Sequence, residues 1–90
     1  MNITIDACEF NSLEEFHELI KEKMEFSEDY DDTLEALWDH LVHKCKHVVN
    51  LYWIDYETSK TILGEDAKAL LDLFQEADDE LEYFHFELQV

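Results

Sequence analysis

Apolar and polar residues alternate at the start of the chain, where Ile3 and Ile5 stand among polar neighbours over residues 2–6. That two-residue period predicts a strand. The pattern then changes. Ser12-Leu13-Glu14-Glu15 reads as a capping box, and Leu13, Phe16, Ile20 and Met24 recur at helical spacing behind it. Residues 26–32 form an acidic loop. A second helix is expected over residues 33–45, with Leu34, Leu37, Trp38, Leu41, Val42 and Cys45 on its inward side and His40 and His43 on its outer side, which His47 continues just past its end. Residues 47–53 are apolar and β-branched, which predicts a second strand. Residues 55–63 read as a third helix stopped by Gly64. Glu65 and Asp66 open a fourth helix, whose stripe is Ala67, Leu70, Leu71, Phe74, Ala77 and Leu81. Alternation returns over residues 83–90, with Phe84, Phe86, Leu88 and Val90 on one face.

The predicted order is β-α-α-β-α-α-β. Strands separated by helices pair in parallel. The expected fold class is therefore α/β, with a three-stranded parallel sheet packed against about four helices in a single domain spanning residues 1–90.

Charge narrows the function. Twenty-four acidic residues face six basic ones, all lysine, for a net charge of −18. Nucleic-acid binding is driven by Lys and Arg neutralising phosphates, so direct binding to DNA or RNA is not expected, and neither is an anionic membrane. A field of this sign favours a basic partner. Solubility alone is the competing explanation of the charge. Trp38, Trp53, six Phe and four Tyr argue against disorder. Cys8 and Cys45 have no metal-site spacing and suggest no disulfide framework; the N-terminus lacks the pattern of a signal peptide, and no membrane span is evident. Free thiols and a cytoplasmic location are expected.

Chemistry concentrates on the second helix. Glu35 and Asp39, four residues apart, lie on one flank, and Trp38 sits between that flank and the core. Asp29, Asp31 and Asp32 come just ahead. A solvated helix start explains the acids equally well, and core packing explains Trp38. Read as an acid–base pair, Glu35 and Asp39 lack a nucleophile, an Arg clamp or an oxyanion loop, so no enzyme activity is expected. The loop lacks the Gly and terminal Glu of an EF-hand. His40, His43 and His47 have spacings that suit zinc, but a set of outward polar residues is the simpler reading. No metal and no cofactor is expected.

The run Leu34-Glu35-Ala36-Leu37-Trp38-Asp39, behind the acidic-aromatic loop, resembles the signature region of the barstar family of intracellular ribonuclease inhibitors. The resemblance extends over nearly the whole chain, including Leu51-Tyr52-Trp53 and Leu73-Phe74-Gln75-Glu76-Ala77. It implies an inhibitor or immunity protein, monomeric when free, that plugs the active site of a small basic ribonuclease with the second helix and its preceding loop. By resemblance Asp39 is the main phosphate mimic, Trp38 packs at the rim, Glu35 keeps the charge of a shorter acid, and Glu76 is a second acidic contact. Asp29 stands where the family's prototype has an aromatic contact residue, Asp31 where it has Gly, and Lys44 where it has a rim aromatic. The alternative reading is a barstar-like nucleic-acid mimic that binds a different basic protein.

Overall fold

The computed structural model of the chain describes residues 1–28, 30–44 and 48–89, with the backbone alone at Lys44. Asp29, Cys45, His47 and Val90, to which the sequence pattern assigned positions, lie outside the described residues. Three strands, β1 (Asn2–Asp6), β2 (Val49–Ile54) and β3 (Phe84–Gln89), form one parallel sheet in the order β1-β2-β3. Helices α1 (Leu13–Lys23) and α2 (Leu34–Asp39) connect β1 to β2, and α3 (Tyr56–Leu63) and α4 (Glu65–Glu80) connect β2 to β3. The expected α/β class, strand count and parallel pairing are all present.

Register fixes the core. Ile3 pairs with Leu51 and Leu51 with Phe86; Ile5 pairs with Trp53 and Trp53 with Leu88. These rows point to the helices, because side chains alternate across a strand. The intervening rows, Asn2–Asn50–His85 and Thr4–Tyr52–Glu87, lie on the other face. There the Asn50 side chain donates to the Asn2 side chain at 3.0 Å. The buried row fails at its outer end: Leu88 is 40% exposed, being at the tip of an edge strand. The expected apolar face of β3 therefore holds at Phe84, weakens at Phe86 and is lost at Leu88.

Phe10, Phe16, Trp53 and Phe74 fill the centre of the core. Trp53 has no exposed surface, and its indole N–H donates to Ser59 Oγ at 2.9 Å. A buried indole needs that partner. Ser12 Oγ accepts from the Glu15 N–H and starts α1. A reciprocal capping box forms one step earlier, where Asp6 and Glu9 close a 3₁₀ turn over Ala7–Glu9. Lys23 at the end of α1 pairs with Glu9 at 2.9 Å and donates to the Thr4 carbonyl, tying the helix back to β1.

The second helical segment departs from expectation. Its α-helical part ends at Asp39, and a π-helical turn follows over His40–Lys44. Its buried face is turned away from Leu34, which is 39% exposed, and toward His40, which is 2% exposed. Leu37 and Leu41 are buried as expected, and Trp38 is half-buried against the core. Two expectations are thereby corrected: Leu34 does not face inward, and His40 does not face solvent.

Candidate functional site

The loop between α1 and α2 is held from within. Tyr30 turns into the core, and its hydroxyl lies 2.5 Å from Nδ1 of His17 on α1. Its ring stacks at a tilt on Phe26 and meets His40 edge-on, with centroids 5.3 and 5.2 Å away. His40 in turn donates from Nδ1 to the Ala36 carbonyl at 2.8 Å. Burial pushes the His17 pKa down, against the opposing pull of Asp32, Asp66 and Asp31. Burial, aided by Asp32 and Asp31, pushes the Tyr30 phenol far up. Both groups are therefore neutral at pH 7, since desolvation outweighs the nearby carboxylates at His17 and acts with them at Tyr30.

With Tyr30 inside, Asp31 and Asp32 stay in solvent. Asp32 adopts φ 56°, a left-handed turn that Asp tolerates better than most residues. Thr33 caps α2 by accepting from the Ala36 N–H at 3.0 Å, and its own hydroxyl donates to Asp31 at 2.7 Å. The chain thus delivers Asp31, Asp32, Glu35 and Asp39 as exposed carboxylates along one short, capped unit. Asp39 lies 3.9 Å from His43 Nε2, with both side chains more than half exposed, so this contact restrains it little. Behind the surface, the Tyr83 hydroxyl sits 2.9 and 2.8 Å from the carbonyls of Leu41 and Val42 and supports the π turn.

Of the residues singled out from sequence, Glu35 and Asp39 are exposed together on α2, with half-buried Trp38 at their edge. Glu76 is exposed on α4, the helix that packs beside α2. Asp29 lies outside the described residues. The histidine set does not form as expected: His43 is exposed, His40 is buried and bonded to the backbone, and His47 is not described. Among the described residues no group of three or more His, Cys, Asp or Glu side chains could hold a metal ion. Sequence reasoning missed His17, Tyr30, Phe26 and Tyr83 as supports of this surface. The one visible signal was Phe26 and Tyr30 within a loop rich in acids; His17 and Tyr83, distant from it in sequence, gave none.

Among the described residues, Asp31, Asp32, Glu35 and Asp39 make an exposed anionic face with half-buried Trp38 at its edge, carried on helices over one side of a parallel sheet. Such a face suits recognition of a partner of opposite charge. Comparison with known proteins is specific: residues 1–90 match the family model for barstar, described as the barnase inhibitor. A Bacillus subtilis (strain 168) protein named "Putative ribonuclease inhibitor YrdF" is 37% identical over 79 residues, covering 88% of this chain and 87% of its own length. The chain belongs to the barstar family, a family of inhibitors rather than enzymes. Among the described residues, no helix is long and apolar enough to cross a membrane.

Proposed function

We propose that the protein is a ribonuclease inhibitor that covers the active site of a small basic ribonuclease with the acidic loop and α2. Asp39 and Glu35 stand in for RNA phosphates, Trp38 packs at the rim, and Glu76 adds a contact from α4. Asp29, next to Tyr30, belongs to the same contact. The observation that carries this reading is the exposed Glu35/Asp39 pair on a short capped helix, with Trp38 at its shoulder. Membership of the barstar family and the name carried by the B. subtilis relative support it. So does the net charge of −18, which steers a basic partner inward.

The physical logic is one of pre-organisation. Carboxylates on a rigid helix lose little freedom on docking. Burying Asp39 is favourable only where the partner supplies matched donors such as Arg, so a wrong partner is rejected by leaving the carboxylate unpaired. The inhibitor acts in the cytoplasm as a free monomer, as an immunity protein against a ribonuclease toxin of the same cell. No cofactor takes part.

The deciding experiment is RNA cleavage by a barnase-type ribonuclease titrated with the protein and with its Asp39→Ala and Glu14→Ala forms. Expected are near one-to-one inhibition, a loss on the order of a hundredfold in affinity for Asp39→Ala, and little change for Glu14→Ala on α1. Equal losses would leave only general charge attraction. No inhibition by the unmodified protein would redirect the surface to a different basic protein.

A further inference from the structure

A groove of about 190 Å3 opens between α1, the residues entering α2 and the first turns of α4. Leu13, Leu34 and Leu70 line it with apolar surface, and Asp32, Thr33 and Asp66 with polar surface. His17 also lines it; with 2% of its surface exposed, it forms the floor together with fully buried Leu70, and Leu13 and Leu34 form the open apolar side. Three features mark the groove. Leu34 is a large apolar side chain left exposed by the rotation of α2, and here it forms a wall. Asp32 and Asp66 are exposed carboxylates, and among the described residues neither is ion-paired. His17 is neutral and no lining residue is Lys or Arg, so only the partial positive charge of the starts of α1, α2 and α4 offsets them.

A site with an apolar wall and two unpaired carboxylates suits a long side chain with a methylene stem and a cationic head. Guanidinium fits better than ammonium, because it is weakly hydrated and presents several donors in one plane to oxygen acceptors. A bare metal ion is poorly served, since its protein ligands would number only two.

We propose that this groove receives an arginine side chain of the partner protein, with its stem against Leu13 and Leu34 and its guanidinium between Asp32 and Asp66. The groove begins at the residues preceding Glu35, so it continues the acidic surface of α2 and extends it to the start of α4. The identity of the partner as a basic protein rests on the proposed function; the preference of the groove for a guanidinium does not.

The test uses the free protein. The ¹⁵N-labelled chain is titrated with Nα-acetyl-arginine methylamide and, as an uncharged analogue of the same shape, Nα-acetyl-citrulline methylamide. The expected result is saturable shifts confined to His17 and residues 32–34 and 66–70, with a millimolar dissociation constant, for the arginine compound only. Asp66→Asn and Asp32→Asn should each weaken that binding at least threefold while leaving the melting temperature unchanged or higher. Shifts spread evenly over the acidic faces of α1, α3 and α4 would overturn the proposal. So would shifts that survive both substitutions, equal binding of the citrulline compound, or failure to saturate. None of these outcomes depends on ribonuclease inhibition, so failure of the groove and failure of the inhibitor reading are separately visible.

Discussion

The Tyr30 hydroxyl and His17 Nδ1 are 2.5 Å apart in the core, joining the acidic loop to α1 across thirteen residues of sequence. This bond turns a loop into a platform: with Tyr30 fixed inside, the backbone of Asp31, Asp32 and Thr33 has a defined path into α2. Removing the hydroxyl leaves a buried imidazole nitrogen without a partner. Tyr30→Phe should therefore destabilise the fold by about 1–3 kcal/mol, read from urea unfolding. It should also weaken partner binding although Tyr30 is buried. A variant with unchanged stability would show that the bond is not needed to hold the loop.

The same pair sets a pH dependence. His17 has a lowered pKa in the folded state because burial disfavours its charged form. Between that lowered value and the unfolded value near 6.5, the unfolded chain binds more protons than the native one. The stabilisation is fully present above about pH 6.5 and is lost as pH falls below it. Tyr30 has the opposite arm: its pKa is raised, so stability falls as pH climbs past the ordinary phenol value near 10. Unfolding midpoints measured from neutral pH downward should decline, and His17→Gln should flatten that decline. An unchanged slope in the variant would assign the dependence to other groups.

A net charge of −18 on a molecule of 31 × 26 × 19 Å opposes its own folding. At about 10 mM salt the screening length is about 30 Å, comparable to the whole molecule, and at 150 mM it is about 8 Å. The melting temperature should therefore rise by several degrees over that range, in keeping with about 1 kcal/mol for a domain of this size. The rate of association with a basic partner should fall over the same range. A melting temperature that drops instead would argue against a dominant self-repulsion.

Gly64 joins α3 to α4 at φ 64° and ψ −134°, a conformation that L side chains avoid. A Cβ built there meets no atom within 4 Å, so a methyl group is costly through the backbone alone. Gly64→Ala should lower stability by about 1–3 kcal/mol in thermal or urea unfolding. No loss would mean that the hinge relaxes into another conformation.

Most of the scaffold was legible because its signals are local. The alternation of Ile3 with Ile5, the stripe from Phe16 to Met24 and the run from Ala67 to Ala77 each determine a buried face without reference to the rest of the chain. The second helix was less legible for a physical reason. A helical wheel treats His40 as polar and Leu34 as apolar, and it assumes a constant turn. In the fold, His40 satisfies Nδ1 on the Ala36 carbonyl and packs its ring between Phe26 and Tyr30, partners supplied by a loop. The π turn that follows is braced by Tyr83, about forty residues later. Neither contact leaves a periodic trace. Among the candidate residues, the pairing of Glu35 with Asp39 was visible from spacing. The groove shared by Asp32 and Asp66 was not, because it depends on how α1, α2 and α4 meet.

The two tryptophans occupy opposite situations. Trp53 is an indole sealed among aromatic rings with one hydroxyl partner, and Trp38 is an indole at the boundary of the acidic surface. One chain therefore carries two chromophores with separate duties. Trp53 is expected to emit at short wavelength and to follow the integrity of the interior; under the proposed function, the emission of half-buried Trp38 should follow the docking of a partner. Fluorescence thus separates a molecule that has come apart from one that has been occupied.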